Sequence, residues 1–442
     1  MNSLKNFSVN LLIGCVCALF VCACGSQQTP ESGEYIFDFN AFYTGQDKNQ
    51  LVGDSLDLYL DYTTALEMKA KVKFYWEIMR PIVKSKAKTT FAIKGQDISK
   101  VQGNVQEIMN GITNYPNADI KAALQQIVNN NKEAIIITDG EMIDPVDPYM
   151  KDAFKAWLLK GHDICVISEP YIEKAAKVSA NKFVFFIVFY DANMDRNICE
   201  YINKVVNFSH FPKINYLNIS MKPRVVGLHG GHSAPNEHTQ AMVTRKGNVE
   251  YHEWNNPWEG QIVKFVVNSI GNDGKEDEKG LPIIDNLKVE RNSIAGLDIT
   301  GVKTKVFNVN KHYSKYYECK KQRVDMDEDL PDSEEMENFI VMNDEQFKKG
   351  GAVQLFFDKA NFNLDCLDGE PYNYLKVDLY ISNMKENVEK YRPMLEFDDI
   401  LKKDCKNISV FESLKQTIED PELGDYIANN PFYTIYVKAQ KK

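Results

Sequence analysis

Acidic residues stand directly after three apolar stretches of the sequence. Asp61 follows LDLYL, Asp139 follows AIIIT, and Asp191 follows FVFFIVFY. In an open α/β sheet, ligands bind outside the carboxyl ends of the strands, so these acids stand where a site is expected. Acids that cluster at one edge, with no basic partner nearby in sequence, indicate a hard cation. The alternative is a structural role, in which Asp61 and Asp139 accept hydrogen bonds from loop amides above the sheet.

The segment Asp191–Asp195 has the DxNxD spacing with which calcium-binding loops begin. Arg196 replaces the glycine that the sharp turn of such a loop needs, and Ile202 occupies the twelfth position, where an acid is expected. A capped turn from strand to helix, with Asp195 near the helix start, therefore explains this segment better than a calcium site.

Four of the seven histidines, His229, His232, His238 and His252, fall within 24 residues. Zinc favours imidazole ligands, and three histidines with an open coordination position would form a hydrolytic site. The histidines begin in a Gly-rich stretch without an HExxH motif, so a loop that caps the preceding domain is the alternative. The sequence holds no GxSxG, P-loop or GxGxxG motif.

Strands and helices alternate from about residue 51 to residue 215. The predicted strands are Leu56–Asp61, Phe91–Ile93, Ala134–Ile137, Ile164–Ile167 and Phe183–Phe189. The predicted helices are Met68–Lys84, Ile120–Val128, Tyr149–Leu159 and Asn197–Val206. The stretch Ala134–Ile137 is apolar at every position, which is typical of a central parallel strand buried on both faces. The alternation predicts crossover units and a mainly parallel sheet.

Residues 281–442 show short, alternating, strand-like segments, such as Leu287–Glu290 and Leu375–Ile381. A helix is predicted at Val410–Ile418. This pattern indicates a mostly antiparallel β (α+β) C-terminal domain. Residues 216–280 are interpreted as a connecting segment that ends in a linker rich in Gly, Lys and Glu.

The strand-end motifs resemble those of a von Willebrand factor A domain over residues 51–215. The motifs are Asp61-Tyr62-Thr63-Thr64-Ala65 after the first strand and Ile137-Thr138-Asp139-Gly140 after a later one. The resemblance implies a doubly wound sheet and a metal-dependent adhesion site. That site is built from a DxSxS motif, a distant Thr and a distant Asp, and it binds Mg²⁺ or a similar ion together with a partner's carboxylate.

Carried over residue by residue, Asp61 matches the first acid, Thr63 the first hydroxyl and Asp139 the final acid. Ala65 stands where the second hydroxyl belongs, so that ligand is missing. Asp119 stands at or next to the position of the distant Thr and could supply a carboxylate oxygen instead. The resemblance therefore implies a degenerate site for a Mg or Ca ion formed by Asp61, Thr63, Asp119 and Asp139.

The N-terminus has the features of a secretory signal: Lys5, the apolar stretch Leu11–Phe20 and small residues within Val21–Gly25. The end of this segment resembles a bacterial lipobox. The resemblance implies that residues 1–23 are a lipoprotein signal peptide and that Cys24 receives the lipid.

Residues 24–50 begin with a polar, turn-rich composition that suits a tether. Gly25, rather than Asp, follows the lipidated cysteine. By analogy with Gram-negative lipoproteins, this favours the outer membrane over retention at the inner membrane. We therefore expect an outer-membrane lipoprotein of the cell envelope that is anchored through its N-terminal lipid.

Five cysteines, Cys165, Cys199, Cys319, Cys366 and Cys405, remain after the predicted cleavage. Export permits disulfides, and an odd number leaves at least one thiol free or paired between chains. Cys165 lies in a buried-strand pattern and is interpreted as a core thiol. Cys366 and Cys405 form a possible bridge.

The composition indicates a globular protein of two to three domains. The chain has 442 residues, 44% of them hydrophobic and 26% charged, and its formal net charge is −10. A negative charge argues against nucleic acid as the main partner, because phosphate binding needs a basic surface.

We expect a binding or adhesion protein, not an enzyme, that engages a protein or glycan partner at the cell envelope. Two alternatives stay open: a metal-assisted hydrolase that uses the region His229–His252 or the carboxylate cluster, and a structural subunit of an envelope assembly. A binding module needs an accessible acid cluster, and a hydrolase needs histidines that converge on one metal. A structural subunit should expose a large apolar patch or a strand edge.

Overall fold

A computed structural model describes residues 51, 56–63, 73–103, 118–142, 144–175, 178–192, 194, 197–226, 243–246, 249–252, 261–267, 281–312, 334–336, 340–357, 372–399 and 405–441. Residues 47–309 and 334–442 belong to one compact unit, and residues 1–46 and 310–333 belong to another. The predicted signal peptide, Cys24 and the whole of the predicted tether, residues 24–50, lie outside the described residues.

Strands and helices alternate between residues 56 and 219, as the sequence predicts. The strands described there are β1 (Leu56–Asp61), β2 (Ala87–Lys94), β3 (Asp97–Lys100), β4 (Ala134–Thr138), β5 (Asp163–Ala175), β6 (Val178–Tyr190) and β7 (Asn215–Ile219). The helices described there are α1 (Lys73–Ser85), α2 (Ile120–Asn130), α3 (Lys151–Leu158) and α4 (Ile198–Val205), with a 3-10 helix at Phe208–His210.

These strands form one mixed sheet in the order β3-β2-β1-β4-β6-β5-β7. The strand β1 lies parallel to β2 on one side and to β4 on the other, so the middle of the sheet has the predicted parallel arrangement. The strand β6 lies between β4 and β5 and is antiparallel to both. The expectation that Phe183–Phe189 joins a parallel series is therefore wrong. Only two residues separate β5 from β6, whereas a parallel connection needs a dozen or more.

Helices cover both faces of this sheet. On β1, Leu58 packs in the cluster that contains residues of α1 and α4, and Tyr59 packs in the cluster that contains residues of α2 and α3. On β4, Ile135 packs in the same cluster as Leu58, and Ile136 packs in the same cluster as Tyr59. Because successive side chains of a strand point to opposite faces, β1 and β4 are buried on both sides. This confirms the prediction of a fully buried strand at Ala134–Ile137.

The region after β7 is rich in strands. Its described strands are β8 (Val225–Val226), β9 (Val243–Lys246), β10 (Val249–His252), β11 (Gln261–Val267), β12 (Leu281–Val289), β13 (Leu297–Asn308), β14 (Glu334–Met336), β15 (Ile340–Met342), β16 (Ala352–Phe357), β17 (Tyr372–Glu386), β18 (Phe397–Asp398), β19 (Lys406–Asn407) and β20 (Tyr433–Lys441). Its described helices are α5 (Asp344–Gly350), α6 (Arg392–Leu395), α7 (Ser409–Ile418) and α8 (Pro421–Asn429), with a 3-10 helix at Val388–Tyr391.

The described strands of this region form three sheets, with the orders β14-β13-β17-β20-β11-β10-β9, β15-β16-β12-β8 and β18-β19. Their ladders are antiparallel, as predicted, except that β11 and β20 run parallel. The strands β8 and β11 come from the predicted connecting segment and pair with β12 and β20. None of the described helices in the chain is both long and apolar enough to cross a membrane.

The helix α7 completes the helical layer that α2 and α3 begin. The Met150 amide, just before α3, donates a hydrogen bond to Ser413 Oγ at 3.1 Å, and the Ile408 amide donates to the Pro145 carbonyl at 2.7 Å. The hydrophobic core continues from the first sheet through α7 into the strand-rich region. The C-terminal region therefore covers the loop that follows β4.

Candidate functional site

Asp61 and Asp139 lie side by side at one edge of the first sheet. Asp61 is the last residue of β1, and Asp139 follows the last residue of β4. The two strands are parallel neighbours that pair Leu60 with Ile137, so both acids reach the carboxyl edge. Only 2% of Asp61 and 5% of Asp139 is exposed. The structure brings the two predicted acids together, but it buries them rather than presenting them openly.

Hydrogen bonds from the local chain fix both carboxyl groups. Asp61 Oδ1 accepts from the Thr63 amide at 3.0 Å, and its Oδ2 accepts from the Thr138 hydroxyl at 2.8 Å. Asp139 Oδ1 accepts from the Glu141 amide at 3.0 Å. The two bonds to backbone amides are those that the structural alternative requires. Thr138 links the two strand ends, because its side chain reaches from β4 to the last residue of β1.

Burial raises the pKa of both carboxyl groups. The negative charge of Asp61 adds to the effect of burial and raises the pKa of Asp139 to about 7, whereas the Glu141 amide and the Lys182 ammonium group lower it. The hydrogen bonds from Thr63 and Thr138 lower the pKa of Asp61 against the larger effect of burial. A proton bound to Asp139 near neutral pH removes the repulsion between the two groups.

Two buried hydroxyl groups complete the surroundings of this acid pair. The Thr63 hydroxyl lies beside the Asp61 carboxyl but forms no well-directed hydrogen bond to any group in the described part of the chain. The Tyr149 hydroxyl likewise has no partner among the described residues. Burial raises the pKa of Tyr149, and the charges of Asp139 and Asp61 raise it further, which places this group within electrostatic range of both acids.

Asp119 lies at the same edge of the sheet, next to the end of β2. Its amide donates to the Gly95 carbonyl at 2.7 Å, just beyond β2. Its Oδ1 accepts from the Ala122 amide at 2.9 Å, which makes it the N-cap of α2. Among the described residues, no group of three or more His, Cys, Asp or Glu side chains is arranged to hold a metal ion. The structure therefore gives Asp119 the role of a helix cap at the edge of the sheet where the acid pair lies.

Asp191 lies at the opposite edge of the sheet. Because β6 runs antiparallel to β4, its carboxyl end lies beside the start of β4, where Phe189 pairs with Ala134. The expectation that Asp191 joins Asp61 and Asp139 is wrong for this reason. Asp191 Oδ2 instead lies 3.4 Å from Nδ1 of the buried His162.

The buried Lys182 and the partly exposed Glu141 form an ion pair that the sequence does not reveal. Lys182 Nζ, on β6, donates to Glu141 Oε1 at 2.7 Å and lies 5.0 Å from the centroid of the Phe397 ring. Lys182 is a charged residue that is almost wholly buried, in a strand that is otherwise largely apolar. A lysine before an apolar stretch is the only local signal, and its partner is 41 positions away. The ammonium group of Lys182 is therefore paired with the Glu141 carboxylate. Its effect on Asp139 is to lower the pKa of that carboxyl group, against the larger effect of burial.

Gly140 allows the chain to turn directly after Asp139. Its φ is +70°, in the left-handed region that favours glycine. A Cβ atom at this position would lie 2.8 Å from the Phe185 ring and 2.9 Å from Val410 Cγ2. The close approach of β6 and α7 therefore requires a glycine next to the acid pair.

The other predicted constellations lie outside the described residues or contribute only backbone. His229, His232 and His238 are not described, and of His252 only its place in β10 is given. Asp195 is not described either, and Asn197 is the residue that caps α4. The zinc and calcium hypotheses stay untested predictions.

In comparisons with known proteins, no family model, no curated protein and no solved structure matches this chain. The functional conclusion therefore rests on the residues and their geometry.

Proposed function

We propose that the chain is a lipid-anchored cell-envelope protein of the von Willebrand A-like type that binds a protein or glycan partner. In this proposal, the strand-end edge around Asp61, Thr63, Asp119 and Asp139 is the binding face, and a Mg or Ca ion binds at the acid pair. The resemblance of the strand-end motifs supports the type of domain, and the lipobox-like segment before Cys24 supports the anchor.

One observation carries the proposal: two buried carboxyl groups repel each other at the end of two parallel strands. Asp139 has its pKa raised to about 7 by burial and by the charge of Asp61. The ammonium group of Lys182, which lowers the pKa of Asp139, is already bonded to Glu141. A divalent cation would offset the repulsion that the protein otherwise relieves by binding a proton.

The groups around the acid pair fit a hard cation. Carboxylate and hydroxyl oxygens are the ligands that Mg²⁺ and Ca²⁺ prefer. Asp61 and Asp139 supply carboxylates, and the Thr63 hydroxyl lies beside Asp61 without a well-directed hydrogen bond to any group in the described part of the chain. Asp61, Thr63 and Asp139 would hold the ion, and Asp119 would keep its role as the cap of α2.

The partner is proposed to contact the rim of the site rather than its floor. Thr63, Asp119 and Glu141 are partly exposed, whereas Asp61 and Asp139 are buried. A bound ion therefore acts on the partner in one of two ways. It shifts the partly exposed residues at the rim, or it offers the partner a coordination position. Either route makes partner binding depend on the cation.

Photo-crosslinking from the two ends of α2 tests the binding face. Lys121 is exposed at the end of α2 beside Asp119, and Asn129 is exposed at the other end of the same helix. A photo-reactive residue replaces each in turn in residues 26–442, and the protein is mixed with envelope extract in Mg²⁺ or in chelator. We expect a cation-dependent crosslink from position 121 that is absent from position 129 and from an Asp139→Asn background.

Crosslinks that are equal from both positions, or that do not respond to the cation or to Asp139→Asn, would contradict the proposal. They would favour the structural-subunit alternative, for which the hydrogen bonds of Asp61 and Asp139 to the Thr63 and Glu141 amides already provide a reason.

The lipid anchor has a matched pair of cysteine variants. Cys24→Ser should move the protein from the membrane fraction to the soluble fraction, because the lipid acceptor is removed. Cys22→Ser, two positions earlier, should leave the distribution unchanged. Membrane association of both variants alike would contradict lipidation at Cys24.

A further inference from the structure

Positive charge is concentrated on the helices that cover one face of the first sheet. These are α1 with its exit into β2, residues 73–88, and α4 with the segment that leads into β7, residues 198–216. We call their outer surface the cationic face. Its basic residues outnumber its acids, Glu77 and Glu200, by five, although the whole chain has a net charge of −10. All of the basic residues are exposed, and they are Lys73, Arg80, Lys84, Lys86, Lys88, Lys204 and Lys213.

Contacts between the two segments make the cationic face one continuous surface. Near the start of α1, Lys73 Nζ lies 5.7 Å from the centroid of the Phe211 ring. At the other end, Ser85 Oγ lies 2.7 Å from Tyr201 Oη, and Lys86 Nζ lies 5.0 Å from the centroid of the Tyr201 ring. Both ends of α1 therefore lie against residues 198–216.

The basic groups of the cationic face are not paired with acids. None of the seven forms an ion pair within the described part of the chain. On the opposite side of the sheet, by contrast, Lys121 Nζ lies 2.8 Å from Asp147 Oδ2, and Lys155 Nζ lies 3.0 Å from Asp420 Oδ1. The charge of the cationic face is therefore available to an anionic partner.

Two exposed apolar side chains accompany this charge. Val205, next to Lys204 at the end of α4, is 42% exposed, and Tyr216 on β7 is 41% exposed. Surfaces that bind at the boundary of a bilayer combine basic residues with apolar side chains that enter the headgroup layer. A soluble polyanion offers no apolar layer to such side chains. The combination therefore favours an anionic bilayer as the partner.

We propose that the cationic face binds the surface of a bilayer that contains anionic lipids, with Val205 and Tyr216 in the headgroup layer. Clusters of about four to eight Lys or Arg residues are attracted to such a surface. Stable attachment takes two signals, such as a lipid chain and a basic patch, so the cationic face would add to the lipid proposed at Cys24. The proposal goes beyond the binding function, and its test omits Cys24 and any cation, so either proposal can fail without the other.

Co-sedimentation of residues 26–442 with vesicles in chelator tests the proposal. The vesicles hold either equal parts of phosphatidylglycerol and phosphatidylcholine or phosphatidylcholine alone. We expect the protein to bind only the anionic vesicles and to bind them less at high salt, because salt screens the attraction.

A matched pair of double variants locates the binding surface. Arg80→Gln/Lys84→Gln should weaken binding to the anionic vesicles about 25-fold, because each basic residue near such a surface contributes about fivefold in affinity. Lys348→Gln/Lys349→Gln removes the same charge from exposed positions of α5 and should leave the affinity unchanged. Circular dichroism checks that each variant is folded.

A second pair of variants tests the apolar contribution. Val205→Ser should weaken vesicle binding, whereas Val146→Ser, at an exposed position after β4, should not. The wild-type result stands even if a variant fails to fold. Failure of the wild type to bind anionic vesicles, equal binding to neutral vesicles or equal losses from the two double variants would overturn the proposal. Binding to soluble polyphosphate but not to vesicles would also overturn it and assign the face to a soluble polyanion.

Discussion

Thr138, Asp139 and Gly140 each have a different role at the end of β4. Thr138 bonds to the carboxyl of Asp61, Asp139 supplies the second carboxyl, and Gly140 turns the chain under Phe185. The sequence predicts Asp61 and Asp139 because an acid after an apolar strand has to lie at the strand end. It does not predict Lys182, because the contact with Glu141 depends on where β6 enters the sheet.

Asp139→Asn should stabilise the cation-free protein at neutral pH. The pKa of Asp139 is about 7 in the folded protein against an ordinary value of 3.8. The stability that this group contributes is therefore full below about pH 4 and is lost as the pH rises to about 7. At neutral pH, the variant should therefore have a free energy of unfolding about 2–4 kcal/mol higher than that of the wild type.

Urea unfolding in chelator at pH 4, 5.5 and 7.5 measures this effect, with Asp119→Asn as the control that keeps its helix cap. The difference between the wild type and each variant cancels the titration of other buried acids. If Asp139→Asn and Asp119→Asn keep the same pH dependence as the wild type, the repulsion between Asp61 and Asp139 is absent.

Among the elements, β6 is where the sequence pattern and the fold differ. The apolar stretches of β5 and β6 look alike whether a strand is parallel or antiparallel, so the pattern cannot give the direction. The direction follows from the short connection between them and from the antiparallel ladder that pairs Cys165 with Val188. This insertion moves Asp191 to the far edge and brings Lys182 and Phe185 next to the end of β4.

Gly140→Ala should destabilise the protein by about 1–3 kcal/mol, because Ala is strained at positive φ and its Cβ would overlap Phe185 and Val410. The cost should be smaller in a Val410→Ala background, since one of the two contacts is removed. Gly424→Ala is the matched control, because a Cβ there meets nothing within 4 Å and lies in α8. Chemical denaturation of the wild type, the three single variants and the Gly140→Ala/Val410→Ala double variant gives the comparison, and equal costs at positions 140 and 424 would contradict the close packing.

Across the whole molecule, the C-terminal region is part of the structure that surrounds the acid pair. The Asn407 side chain donates to the Met142 carbonyl at 3.3 Å, and the Ser409 hydroxyl donates to the Asp144 carbonyl at 3.1 Å. Sequence patterns cannot predict such contacts, because they join segments about 265 positions apart. The alternation of elements gives the layers of the first sheet, but it does not show that α7 completes one of them.

A fragment of residues 51–220 should not fold on its own. It lacks α7, so the side of α3 around Met150 and the Phe185 region would lose their cover. We expect residues 26–442 to unfold in a cooperative transition and the fragment to show none by circular dichroism. A fragment with a cooperative transition near that of the longer protein would instead support the predicted domain limits 51–215 and 281–442.

Calorimetric titration of metal-free residues 26–442 with Mg²⁺, Ca²⁺ and Mn²⁺ is the most direct test of a cation at Asp61 and Asp139. Wild-type protein should bind one of these ions saturably at a single site near neutral pH, with proton release because the pKa of Asp139 is about 7. Asp139→Asn should fold and lose the binding, while Asp119→Asn should retain its fold and its helix cap. If the wild type binds none of the three ions, or binds them equally well after Asp139→Asn, the acid pair is not a cation site.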